Sequence, residues 1–182
     1  FAMTAYSTTV RATHLLTNAA WFGGSLMGAV ALNPAAREGD DYRERAEISD
    51  TGWRRWGPVQ GAAIGLHLLS GIAIVADNRR RVIAHPPTTA AVVLKTAVTG
   101  VAVAASAAAF RFGAELGDAQ NRAEGDEAAR QKARSLAARM KWLQWATPAA
   151  TALLLVLDAY LSEQQRGVAG LLDRASNLLH RS

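Results

Sequence analysis

Four stretches of this chain are each apolar for about the 20 residues that a helix needs to cross about 30 Å of hydrocarbon at 1.5 Å per residue. They run from about Val10 to Leu32, Gly57 to Ala76, Thr88 to Phe110 and Leu143 to Leu161. Asn33-Pro34 closes the first, and the third follows Pro86-Pro87, whose fixed φ suits a helix start. Trp53 and Trp56 precede the second, Arg79-Arg80-Arg81 follows it, and Trp142, Trp145 and Tyr160 flank the fourth. Aromatic and basic residues at the ends of apolar runs read as anchors at a membrane interface. A buried helix of a soluble bundle is also apolar all round, but a chain of 182 residues has little else with which to bury four of them. The expected fold is all-α, an integral membrane four-helix antiparallel bundle forming one domain over residues 3–182.

The connections extend this picture. Residues 35–53 and 114–141 are highly charged, and in the second Ala, Leu and Met recur at helical spacing between Arg and Glu. Such sequence has high helix propensity, so the third and fourth spans are expected to project as a helical extramembrane extension. In the tail, over 166–181, Val168, Leu171, Leu172, Ala175, Leu178 and Leu179 fall on one face with Arg166, Arg174 and Arg181 around it. That pattern predicts an amphipathic helix lying on the membrane surface.

Composition excludes several function classes. No cysteine is present, so disulfides, thiolate catalysis and iron–sulfur clusters are out. The net charge of +5 raises nucleic acid as a partner, yet the basic residues sit at the ends of apolar runs and not along one face with interleaved aromatics. Nucleic acid is therefore not expected. The first apolar run is too long for a signal peptide and no small-residue cleavage site follows it. There is no P-loop, no G-x-G-x-x-G after a strand, no G-x-S-x-G and no H-E-x-x-H, which points away from an enzyme. Trp21-Phe22-Gly23-Gly24, with the helix end at Asn33-Pro34, resembles the first-span Trp-x-Gly-Gly…Pro pattern of copper-resistance D-like multi-span membrane proteins. The resemblance covers one helix of four. Metal handling, which it would imply, is not carried over, because the chain lacks a dense Met/His/Cys set.

Ionisable groups inside a membrane are rare and costly, so they point to function. The spans hold His14 and Asn18, Gln60 and His67, Lys95, and Asp158. At 1.5 Å per residue His14 lies roughly 10 Å, Lys95 roughly 6 Å and Asp158 roughly 9 Å from the midpoints of their spans, all towards the terminal side, with His67 near the middle. Lys95 and Asp158 are then level on neighbouring helices, and an ion pair is expected because either charge alone in hydrocarbon costs several kcal/mol. Two readings stay open. The pair is either an interhelical staple, or part of a pocket in which His14, Asn18, His67, Lys95 and Asp158 meet a ligand. His14 and His67 are also the one pair that could ligate a b-type haem, although a depth offset of roughly 10 Å at that rise argues against it. No cofactor is expected.

Gly24 and Gly28 in the first span, Gly57, Gly61 and Gly65 in the second, and Gly100 in the third give small-residue faces that let helices approach closely. They predict tight packing within the bundle, with a homodimer through the second span as the alternative. Orientation rests on arginines: Arg79-Arg80-Arg81 lies in a short loop close to span ends, where the positive-inside rule counts most, and favours both termini inside. The more numerous basic residues of the long, acid-rich loops favour the opposite.

The expectation is a cell-membrane (inner-membrane) protein of transport type that binds or conducts a small solute or ion. The alternatives are an accessory or scaffolding subunit of a larger membrane complex, and a haem- or metal-binding redox protein.

Overall fold

A computed structural model describes the backbone of residues 2–79 and 86–179, and the side chains of 5–79 and 89–162. Helices and turns make up all of it, with no strand among the described residues. Helix α1 spans Ala2–Met27 and runs through a π-helical turn, Gly28–Leu32, into the short α2, Asn33–Arg37. Helix α3 spans Tyr42–Asp77, α4 Pro86–Asn121, α5 Glu127–Leu143 and α6 Ala146–Leu179.

Four helical stretches, Ala5–Arg37, Tyr42–Asp77, Thr89–Asn121 and Glu127–Ser162, are long and apolar enough to cross a membrane. Each of the 36-residue helices α3 and α4 is about 54 Å long at 1.5 Å per residue. That exceeds a hydrocarbon layer of about 30 Å. The helices therefore begin or end well beyond the apolar runs, α3 in the charged residues from Tyr42 onward and α4 in those up to Asn121.

Local chemistry fixes the element boundaries. Asp41 caps α3 by accepting from the Glu44 amide at 2.8 Å, and the Glu44 carboxylate accepts in return from the Asp40 amide at 2.7 Å. Asp126 caps α5 through the Ala128 and Ala129 amides. Gly125 just before it has φ +82°, which a residue with a Cβ rarely adopts, and this lets α4 and α5 reverse within a few residues.

One helix end departs from expectation. Pro34 does not close the first helix; it sits in the first turn of α2, where its missing N–H costs nothing, and the Asn33 amide bonds the Gly28 carbonyl five residues back. The surface helix expected over 166–181 lies partly outside the described residues. The backbone of α6 is continuous to Leu179, and nothing is described of side chains beyond Ser162.

Helix α1 packs on α3 and α6, and α4 packs on α3 and α6, closing a ring of four. Paired residues run in opposite directions. Gly28 meets Trp53, Gly24 meets Trp56 and His14 meets His67, while Lys95 meets Asp158 and Ser106 meets Thr147. The extension has its own small core of Ala119, Ala133 and Leu136 with Tyr42, Phe112 and Leu116 against it.

The distribution of polarity inverts that of a soluble bundle. Leu16, Leu69, Ile72, Val93 and Val156 are 63–70% exposed, whereas His14, Asn18, His67 and Asp158 are at most 9% exposed.

Candidate functional site

Position along α1 selects what faces the interior: His14, Asn18, Trp21, Ser25 and Gly28 follow at steps of three and four and are all buried. The other three long helices each turn one ionisable residue to meet this stripe. His67 comes from α3, Lys95 from α4 and Asp158 from α6. Each of the four spanning-length stretches thus contributes one ionisable side chain to a single cluster.

The Lys95 ammonium is its hub. It donates to Asp158 Oδ1 in an ion pair and to His14 Nε2 at 2.7 Å. His14 Nε2 also stands 4.0 Å from the same carboxylate oxygen. The other ring nitrogen, Nδ1, lies 3.0 Å from the His67 carbonyl and 3.1 Å from Ser70 Oγ. A carbonyl only accepts, so this geometry assigns the proton of His14 to Nδ1 and leaves the Nε2 lone pair for Lys95. His67 repeats the arrangement, with Nδ1 3.2 Å from the His14 carbonyl. The two imidazoles stack with centroids 3.9 Å apart and planes 15° from parallel.

Neighbouring residues hold this geometry. A Cβ at Gly71 would stand 3.1 Å from His14 Cε1, so the absence of a side chain there lets the ring lie on α3. Trp21 meets His67 edge-on at 5.9 Å, and its Nε1–H donates to Ser106 Oγ on α4 at 3.0 Å. Ser106 in turn lies 3.4 Å from Thr147 Oγ1 on α6. Two polar side chains are not fully matched. Asn18 is 0% exposed with neither amide atom hydrogen-bonded, and Asp158 Oδ2 is buried without a partner.

The five residues singled out in the sequence therefore share one region of the interior. The depth offset between His14 and His67 is corrected: their rings touch. The register set by Gly28–Trp53 and Gly24–Trp56 carries on to His14–His67, so the part of α3 facing α1 starts before the apolar run that defines its midpoint. That contact also tests haem. Two rings stacked face to face, each with Nδ1 spent on a carbonyl, do not present nitrogens to an iron lying between them. Among the described residues no group of three His, Asp or Glu side chains could hold a metal ion.

The glycines divide. Side chains at Gly24 and Gly28 would overlap the indoles of Trp56 and Trp53, whereas Gly57, Gly61, Gly65 and Gly100 have nothing within 4 Å of where a Cβ would stand. Gln60 lies between, accepting from Trp56 Nε1 at 3.1 Å. Sequence reasoning does not pick out Ser70, Gly71, Trp21 or Ser106 for the site. Trp21 is accessible from spacing, one further turn along the stripe of His14 and Asn18; Ser70 and Gly71 are not, because only the α1–α3 register brings them to His14.

Comparison with models of protein families, with curated proteins and with solved structures finds no match to this chain.

Proposed function

We propose that this is a multi-pass protein of the cell membrane, without catalytic activity, that binds or passes a small solute or ion at an intramembrane site built from His14, Asn18, His67, Lys95 and Asp158. One observation carries the reading: four ionisable side chains, one from each spanning-length stretch, meet in the interior beside buried polar atoms that have no protein partner. A purely structural staple gains nothing from leaving Asp158 Oδ2 and the Asn18 amide unmatched, since a buried unsatisfied group costs about 1–3 kcal/mol. A guest that bonds either group offsets that group's share of the cost. The apolar outer surface supports a lipid environment, and Arg79-Arg80-Arg81 supports cytoplasmic termini.

The chain has no cysteine, which permits a direct test. In liposomes, a small cationic thiol reagent should modify Asn18→Cys and leave Leu154→Cys, in the apolar core, untouched. If Asn18→Cys stays unreactive while a surface control at Arg43→Cys reacts fully, the pocket reading falls.

A second reading has its own support. The hydrogen bonds of Lys95 and the two histidines all join different helices, as glue would, and the face carrying Gly57, Gly61 and Gly65 is open to a close neighbour. On this reading the protein is an accessory subunit that docks a second copy or a larger complex through α3. A stoichiometric partner retained in a mild detergent would favour it.

A further inference from the structure

We infer that the ion handled at this site is the proton, bound by Asp158 within the His14–Lys95–Asp158 cluster; the inference rests on the site reading above and names its ligand. His14 Nε2 already accepts from Lys95, and Nδ1–H is committed to the His67 carbonyl. In His67, Nδ1–H is committed to the His14 carbonyl. Asp158 spends Oδ1 on Lys95, while Oδ2 is a buried acceptor with no partner. A metal ion would need several such donors, and no suitable group of three occurs among the described residues. A proton needs one lone pair.

The charge balance agrees. The cationic and anionic members, Lys95 from α4 and Asp158 from α6, cancel, and the carbonyl partners of His14 from α1 and His67 from α3 place a ring proton on each Nδ1. Uptake of one proton from a hydronium ion breaks an O–H bond there, releases water and forms an O–H bond at Asp158 Oδ2, leaving the cluster with one net positive charge on Lys95. Release reverses this. Movement within the pair also balances: an Nζ–H bond breaks as an Oδ1–H bond forms, giving a neutral amine and a neutral acid. The Lys95 and Asp158 side chains are 16% and 11% exposed against 5% for His14.

The test is infrared difference spectroscopy of the full chain in lipid, titrated from neutral to acid. The wild-type minus Asp158→Asn spectrum should contain the C=O stretch of a protonated carboxylic acid that appears reversibly on acidification. Asp158→Glu should keep such a band at a shifted frequency. If Asp158→Asn fails to fold, the wild-type against Asp158→Glu comparison reads the same band. A difference spectrum with no carboxylic-acid band across the titration overturns the proton assignment. With Asn18→Cys still reactive, that result leaves a site for another solute; with Asn18→Cys unreactive, both readings fail together.

Discussion

His14 and His67 make the same hydrogen bond in opposite directions, each ring donating Nδ1–H to the main-chain carbonyl of the other, at 3.0 and 3.2 Å. The exchange ties α1 to α3 twice and fixes the tautomer of both rings. It also aims His14 Nε2 at Lys95, so a contact between the first two long helices positions the hub of the third and fourth.

His67→Phe should keep the ring stack and lose one of the two donors. The His14 carbonyl retains Thr17 Oγ1 at 3.1 Å, so no acceptor is orphaned, and a hydrogen bond between membrane helices averages only about 0.6 kcal/mol. Thermal unfolding in detergent should show a loss of about 1 kcal/mol or less. A collapse of the fold would mean that the His67 ring carries more than this exchange.

Lys95→Met should cost far more, because breaking a buried ion pair from one side typically costs about 3–5 kcal/mol. The double variant Lys95→Met/Asp158→Leu removes both charges and should recover most of the stability. A double-mutant cycle reads the coupling. Additive losses would show that the two charges do not act as a pair.

Much of this arrangement is legible in the sequence. Apolar run length locates four helices long and apolar enough to cross a membrane, and the rarity of ionisable groups within them is enough to pick out His14, His67, Lys95 and Asp158. The neighbours of each are less accessible. Depth estimated from run midpoints separates His14 from His67, because Trp53, Arg54 and Arg55 are polar or amphipathic enough to end a run while remaining inside α3. Register is set there by indoles filling the space over Gly24 and Gly28, a long-range fit that no local pattern records. The glycines of α3 show the same limit: four-residue spacing marks Gly57, Gly61 and Gly65 as a face, but not which neighbour it meets.

That difference between glycines is measurable. Gly24→Leu must displace the Trp56 indole, and overpacking of this kind typically costs about 1–3 kcal/mol. Gly61→Leu points into open space and should leave the monomer as stable as the parent. If α3 also joins two copies, Gly61→Leu should convert a dimer to monomers by size-exclusion chromatography with light scattering. An unchanged oligomer would remove α3 as the contact.

Asn18→Leu should raise stability and abolish function, a combination that a structural asparagine does not give. The side chain is wholly buried and its amide has no hydrogen-bond partner, so the folded chain carries its desolvation without return. Replacing an unsatisfied polar group by an apolar one of similar size recovers up to about 1–3 kcal/mol. Thermal unfolding in detergent should therefore shift upward, while flux or binding at the site falls. Destabilisation by Asn18→Leu would instead show that the amide is satisfied in the working protein, by water or by the guest itself.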